Sequence, residues 1–172
     1  DTAVPQPFTE YYNRGEQAKP IDYMVMMGYD EHYAGSEEAG SVASLPFVES
    51  GIQTLLEDIP AEKIICAIPF YTRIWTENFG QVGVTSEVLG MDGADQYVTQ
   101  MGMTKTWDAS VGQNVATVET DTARYTIWME DEQSIEEKMK LIEEYGLSGV
   151  AEWKLGFERA TVWNIISSHL TE

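Results

Sequence analysis

Polar and aromatic side chains follow an apolar run of the sequence at the point where the run ends. Ile21–Asp30 (IDYMVMMGYD) ends in Tyr29 and Asp30, and Glu31 follows directly. A continuous apolar run of this length is typical of a strand buried on both faces of a parallel sheet. In such sheets the chemistry usually lies at the C-terminal ends of the strands. The stretch alone fits either a site or a polar turn after a buried strand.

Two later apolar runs end in the same way. Glu62–Tyr71 (EKIICAIPFY) is followed by Arg73 and Trp75, and Leu147–Trp153 ends in an indole. Pyranose rings stack on indole rings, and sugar hydroxyls need acceptors such as carboxylates. Aromatic side chains and carboxylates at three strand ends therefore favour a pocket for a neutral sugar. The alternative is that these aromatic residues belong to an ordinary core and its rim.

The composition excludes several classes of protein. The 172 residues include 10 basic and 29 acidic side chains, which gives a net charge of −19. A field of this sign repels phosphate backbones and anionic membranes, so we expect no nucleic-acid partner. A hydrophobic fraction of 43% excludes disorder.

The sequence predicts no metal ion and no cofactor. The two histidines, His32 and His169, stand alone, and the single cysteine, Cys66, lies inside an apolar run, which is typical of an inert core thiol. No nucleophile elbow or glycine-rich phosphate loop is present. The apolar runs are shorter than the roughly 18–20 residues of a membrane helix, so no membrane span is expected. The start at Asp1 predicts a processed piece, with a signal peptide absent or removed.

Helices are predicted between the strands. Ser44 is a candidate N-cap for a helix that continues to about Glu57. Two later helices are predicted at Ser134–Tyr145 and Glu158–Leu170, and a short helix or turn at Phe8–Ala18.

The stretch Thr76–Asp131 has a different pattern. It contains scattered glycines, a short amphipathic piece near Ala94–Met101, and two segments of strand-like composition, Asn114–Glu119 and Ala123–Met129. A Thr-Asp-Thr turn joins these two segments, which predicts an antiparallel hairpin. The alternation of strands and helices around this stretch predicts an α/β fold with a parallel sheet. With Thr2–Val4 as a strand end, the strands make about half of a (β/α)₈ barrel, which usually takes roughly 250 residues.

Several of these segments resemble glycoside hydrolase family 18. The resemblance is carried by Met27-x-Tyr29-Asp30 at a strand end, then AIPFYTRIW, then GVAEWKLG before the last helix. More narrowly, MGYDEHY, GSVASLPFVE, WDASVGQ and YTIWMEDEQSIEEKMKLI are similar to the bacterial spore-cortex and cell-wall N-acetylglucosaminidase branch. The resemblance runs from Thr2 to the last helix.

The resemblance implies a fold: the C-terminal half of a (β/α)₈ TIM barrel, with residues 1–172 as part of one catalytic domain. The implied barrel strands five to eight are, in order, Thr2–Val4, Ile21–Asp30, Glu62–Tyr71 and Gly149–Trp153. Residues 76–131 would be or contain a small α+β insertion after strand seven.

The resemblance also implies an activity, the hydrolysis of β-1,4 links next to N-acetylglucosamine in peptidoglycan or chitin-like glycans. In this family the acetamide of the sugar itself attacks the anomeric carbon. On the matching positions, Tyr29 would donate its hydroxyl to the acetamide carbonyl, Asp30 would hydrogen-bond the same sugar or the surroundings of its acetamide, and Trp153 would form its floor. The remaining expected substrate-binding residues are Tyr71, Arg73, Trp75 and Glu31.

One family motif is missing from the chain. The general acid of the family is a Glu that ends a D-x-x-D-x-D-x-E run on strand four, and no such run occurs. Glu31 and Glu152 are nearby carboxylates outside that motif. We therefore expect the isolated chain to be inactive. A half-barrel has exposed strand edges, so we also expect the chain to self-associate through them. The resemblance implies that the parent protein acts outside the cell, at the wall or spore of a bacterium. The alternatives are a lectin-like relative that binds glycan without cleaving it and a mere folding fragment.

Overall fold

The computed structural model describes residues 12–170, which form two β-sheets and, within that range, five α-helices. The helices are α1 (Arg14–Gln17), α2 (Leu45–Leu56), α3 (Met91–Gln100), α4 (Glu132–Glu144) and α5 (Val162–Leu170). The strands are β1 (Met24–Met27), β2 (Ile64–Pro69), β3 (Tyr71–Asn78), β4 (Thr85–Gly90), β5 (Thr106–Asp108), β6 (Gln113–Glu119), β7 (Ala123–Trp128) and β8 (Gly149–Trp153). None of the helices in this range has the length and apolarity that crossing a membrane requires.

Strands β1, β2 and β8 form a parallel sheet in the order β1-β2-β8. Helices α2, α4 and α5 cover one face, where Met26 and Cys66 lie in one apolar cluster with Ile52, Ile135 and Ile166. Burial raises the pKa of the Cys66 thiol to about 12, so this cysteine is an inert core residue, as predicted. The predicted α/β alternation is confirmed.

The opposite face of the parallel sheet is open, which corrects the prediction for the first strand. The run Ile21–Asp30 was expected to be buried on both faces, but the regular strand is only Met24–Met27. Its outward side chains, Val25 and Met27, are 53% and 58% exposed. Strand β8 is likewise only partly buried. The apolar sequence makes both faces of this strand suitable for burial, but burial also requires another layer of the protein. Residues 12–170 do not cover this face, so its apolar side chains are exposed.

The other five strands form an antiparallel sheet in the order β4-β3-β7-β6-β5. Helix α3 packs on one face of it, and the apolar cluster there includes Ile74, Ala94, Val98 and Ile127. The predicted hairpin is confirmed, because β6 pairs with β7 in antiparallel register. The antiparallel sheet begins before Thr76, since β3 begins at Tyr71, directly after β2.

Helix boundaries agree with the capping signals. The Ser44 side chain accepts a hydrogen bond from the Phe47 N–H at the start of α2, which confirms the predicted N-cap. Asp131 caps α4 in a capping box with Ser134. The last helix begins at Val162, four residues after the predicted start. Thr2–Val4 lies outside the described residues.

A buried polar cluster links the antiparallel sheet to helix α4, which covers the parallel sheet. Glu130 follows β7, and Lys138 lies on α4; their side chains are fully buried and 3.0 Å apart. The Glu130 carboxylate also accepts hydrogen bonds from Gln113 and Ser134. Burial raises the pKa of Glu130, and the adjacent Lys138 charge opposes that rise. Gln113 in turn accepts a hydrogen bond from Ser41, so the cluster also anchors the loop between β1 and α2.

Candidate active site

The carboxyl ends of β1, β2 and β8 lie side by side. The Gly28 N–H donates to the Ala67 carbonyl at 2.8 Å, and the Phe70 N–H donates to the Trp153 carbonyl at 2.8 Å. A Cβ on Gly28 would lie 2.9 Å from the Ala67 oxygen, so this close approach requires glycine. These contacts hold Tyr29, which follows Gly28 at the end of β1, next to the ends of β2 and β8.

The structure brings four of the predicted site residues together. The Tyr29 ring stacks on the Trp153 ring, with centroids 6.5 Å apart and planes at 28°. Tyr29 also meets Tyr71 edge to face, with centroids 6.2 Å apart. The Tyr71 hydroxyl donates a hydrogen bond to Asp30 Oδ1. Asp30 has φ of +63°, a left-handed conformation that Asp tolerates better than most residues.

Both tyrosines are held in the protonated state. Burial, and secondly the Asp30 charge, raise the pKa of Tyr29. Burial and the hydrogen bond to Asp30 raise the pKa of Tyr71 far above its ordinary value. The Tyr71 proton is directed at Asp30, whereas the Tyr29 hydroxyl has no partner within residues 12–170 and remains free to donate. The site thus offers one uncommitted phenol beside a fixed carboxylate.

An open cleft of about 280 Å³ lies beside this group, and Tyr29 is not among the residues that line it. It is lined by Asp30, Tyr71, Arg73, Val88, Trp153 and Phe157. Trp153 is 54% exposed and therefore presents its ring to solvent. Arg73 donates from Nη1 to Ser86 at 2.9 Å, while its Nε is buried without a partner in the described part of the chain.

Two lining residues were missed by the sequence interpretation. Val88 lies on β4, a strand that was not predicted from the sequence of the stretch Thr76–Asp131. Phe157 follows β8, and its carbonyl accepts a hydrogen bond from the Met91 N–H at 2.9 Å, which ties α3 to the cleft rim. The ammonium of Lys154 lies 4.7 Å from the Phe157 ring centroid. The sequence signal that could have identified Phe157 is its position directly after the segment GVAEWKLG, which follows a predicted strand end.

Two of the expected substrate-binding residues lie outside the cleft lining. The Glu31 carboxylate accepts hydrogen bonds from the Ser44 N–H at 2.8 Å and the Ser44 hydroxyl at 3.0 Å. The Trp75 indole is buried, and its N–H donates to the Gly40 carbonyl at 2.8 Å. Both residues hold the loop between β1 and α2 in place.

Glu152 is oriented differently from Trp153, its neighbour on β8. It pairs in register with Ile68, a residue of the helix-covered core, and it is not among the cleft-lining residues. Burial raises the pKa of Glu152. No group of three or more potential metal-ligating side chains occurs within residues 12–170.

The fold and site define an α/β protein with an aromatic, carboxylate-bearing cleft at the carboxyl edge of a parallel sheet. Residues 1–158 match the family described as Glycosyl hydrolases family 18, and the chain belongs to that family. It is 26% identical over 148 residues to the cortical fragment-lytic enzyme of Bacillus subtilis, covering 86% of this chain and 34% of that protein. It is also 26% identical over 155 residues to the class V chitinase CHIT5 of Lotus japonicus, covering 82% and 39%.

Solved structures agree with this assignment. A chitinase from Chromobacterium violaceum superposes with a TM-score of 0.82 at 26% identity, covering 94% of this chain and 49% of that one. The spore cortex-lytic enzyme SleL of Bacillus cereus superposes with a TM-score of 0.88 at 22% identity, covering 99% and 40%, which shows the shared fold. The chain therefore spans well under two thirds of the length of these relatives.

Proposed function

We propose that this chain is the C-terminal portion of a glycosidase that hydrolyses β-1,4 links next to N-acetylglucosamine. Its substrates are peptidoglycan or chitin-like glycans, and the mechanism is substrate-assisted. The observation that carries the proposal is the Tyr29 hydroxyl, which has no partner within residues 12–170, on a ring that stacks against the exposed Trp153 ring in a member of a hydrolase family. The relatives named as chitinase and cortical fragment-lytic enzyme support the substrate class.

The site residues divide the work as follows. The Trp153 ring supports one face of the sugar, and the acetamide of that sugar lies toward Tyr29. The Tyr29 hydroxyl donates to the acetamide carbonyl oxygen and orients it, so that this oxygen attacks the anomeric carbon as the glycosidic bond breaks. Asp30 accepts from the acetamide N–H and stabilises the positive charge that develops on the group. Tyr71 keeps Asp30 in this position through its hydrogen bond.

The proposed proton donor lies outside the 172 residues. Protonation of the leaving oxygen requires a general acid, and the D-x-x-D-x-D-x-E run that carries it in this family is missing here. Loss of a general acid costs roughly two to four orders of magnitude in rate. We therefore expect the chain alone to be inactive and the parent protein to be active.

The open face of the parallel sheet supports a half-barrel. Val25 and Met27 expose apolar side chains where a closed barrel would bury them. In this proposal β1, β2 and β8 are strands six, seven and eight, and the antiparallel sheet with α3 is the insertion after strand seven. The cortical fragment-lytic enzyme and the spore cortex-lytic enzyme among the relatives support an action at the bacterial cell wall or spore.

The test is turnover of an N-acetylglucosaminide that releases a fluorophore, measured on the full-length parent. Tyr29→Phe should lower kcat by about 100-fold or more, because one donor to the reacting amide is lost. The matched control is Tyr33→Phe, since Tyr33 is exposed on the loop that follows. Unchanged turnover in Tyr29→Phe would remove Tyr29 from the catalytic site.

The same substrate tests the missing acid. The 172-residue chain should release no fluorophore above background, and release at the parent rate would contradict the proposal. The missing acid also keeps a lectin-like function as the second candidate. A full-length parent that binds the glycan through Trp153 but never cleaves it would establish that candidate instead.

A further inference from the structure

A second groove of about 930 Å³ lies on the antiparallel sheet. Glu77, Thr117 and Trp128, on three neighbouring strands, form its floor, and Glu37 and Glu38 of the loop between β1 and α2 form one wall. Its volume is near the upper end of the range for ligand sites. None of the residues that line the active-site cleft belongs to it.

The groove and the cleft share one face of β3 but are separated. Arg73 lines the cleft and Glu77 lines the groove, four residues apart on the same face, or about 13 Å along a strand. Trp75 lies between them on that face and is buried beneath the loop, where its indole N–H donates to the Gly40 carbonyl. The loop therefore crosses the sheet between two distinct concavities.

The groove contains hydrogen-bonding groups that the fold does not use. The Trp128 indole is half-buried, and its N–H has no partner within residues 12–170. The side chains of Glu37 and Glu38 are exposed and make no ion pair or hydrogen bond in the same range. On the floor, the Thr117 hydroxyl donates a hydrogen bond to the Thr126 hydroxyl at 3.3 Å, and further lone pairs of both oxygens remain as acceptors. An indole face beside free carboxylate acceptors and hydroxyls is suited to a pyranose ring and its hydroxyl groups.

The charges of the groove exclude anionic ligands. Arg124 is the one cation among the lining residues, and it pairs with Glu119 at 2.7 Å, with Glu77 3.9 Å away. No lining cation is left for a phosphate or a carboxylate, while Glu37 and Glu38 repel both. A neutral sugar meets no such penalty.

We propose that this groove is a second carbohydrate-binding site, which holds a neutral β-linked N-acetylglucosamine strand at a distance from the cleft. The inference rests on the proposed function for the class of glycan. Its consequence is retention on a polymer: one stretch of glycan lies in the groove while the same or a neighbouring strand enters the cleft.

Binding of the full-length protein to insoluble chitin tests the groove by itself. Trp153→Ala removes the floor of the cleft, and this variant should still bind the polymer. Adding Trp128→Ala should weaken the remaining binding about three- to tenfold, the loss expected for one stacked aromatic ring. Because Trp128 is half-buried, a second variant places the block at an exposed position: Thr117→Lys, matched by Thr122→Lys on the turn of the same hairpin. Thr117→Lys should weaken binding as Trp128→Ala does, and Thr122→Lys should not.

Three results would overturn the inference. The first is loss of all binding in Trp153→Ala, and the second is binding that Thr117→Lys leaves unchanged. The third is binding of deacetylated, cationic chitosan but not of chitin, which would make the groove a cation site. Failure of the proposed function gives a different result, since a wild-type protein that cleaves no N-acetylglucosaminide can still bind chitin through the groove.

Discussion

The two sheets of this molecule differ in how completely they are covered. The antiparallel sheet has its own apolar cluster against α3, in which Ile127 is fully buried. The parallel sheet buries only its helix-facing side, and Val25 and Met27 remain exposed on the other. A sheet face built of apolar side chains is stable when another layer covers it. The antiparallel sheet therefore has a core of its own, whereas the parallel sheet presents apolar side chains on a face that residues 12–170 leave uncovered.

The candidate site belongs to both regions. Tyr29, Asp30 and Trp153 come from the ends of the parallel strands, while Arg73 and Val88 come from the antiparallel sheet. The shape of the cleft therefore depends on how the two sheets are held against each other. Four comparisons between variants separate the contributions of the two regions, beginning with the junction between the sheets.

The largest loss of stability is expected at the buried ion pair. Lys138→Met leaves the Glu130 carboxylate buried without its counter-charge, which should lower the free energy of unfolding by about 3–5 kcal/mol. The double variant Glu130→Gln/Lys138→Met removes both charges and should lose clearly less. Chemical denaturation measures both, and equal losses in the two variants would contradict the role assigned to the charge.

Truncation of one aliphatic side chain in each sheet compares their packing directly. Ile127→Ala in the antiparallel sheet should cost about 2–5 kcal/mol, because it leaves a cavity in a buried cluster. Val25→Ala on the open face should stay within about 0.5 kcal/mol. Denaturant midpoints at constant m-value report both, and a similar cost at the two positions would mean that the open face is covered in solution.

Self-association should depend on that same open face. The 172-residue chain is expected to sediment as a dimer or larger species, and Val25→Lys/Met27→Lys should shift it toward monomer, because the introduced charges resist burial. Val82→Lys is the control, since Val82 is fully exposed on the loop between β3 and β4. A wild-type chain that sediments as a monodisperse monomer would contradict this expectation.

The smallest effect is a pH dependence confined to the helices that cover the parallel sheet. His169 on α5 bonds Glu143 at 2.8 Å and Glu136 at 3.2 Å on α4, and these hydrogen bonds raise the pKa of His169. The imidazolium is thus more stable in the fold than in the unfolded chain. Its contribution is complete below the unfolded pKa of about 6.5 and is lost as the pH rises through the higher folded pKa.

His169→Gln should consequently lower Tm more in mildly acidic than in alkaline buffer. Ile127→Ala provides the comparison, because its loss of Tm should not follow this titration. A His169→Gln deficit that grows as the pH rises would have the wrong sign and would reject the assignment.

The predictable parts of the fold depend on local patterns. Ser44 and the helix after it, the hairpin of β6 and β7, and the buried Cys66 follow from capping, turn and periodicity signals that involve neighbouring residues. Strands β4 and β5 were missed because their residues lack the alternation of a half-buried strand. Their strand conformation comes from pairing with β3 and β6, which are distant in sequence.

The sequence by itself determined the family, through motifs such as Met27-x-Tyr29-Asp30, and the position of polar groups at the strand ends. Only the tertiary structure decided which of those groups share a cleft. Tyr71 and Trp75 follow the same strand, yet Tyr71 bonds Asp30 while Trp75 is buried under the loop at Gly40. The physical reason is that both side chains lie on the same face of β3, four residues apart, and the segments that pack over the two ends of that face come from elsewhere in the chain: the end of β1 at Asp30 and the loop at Gly40.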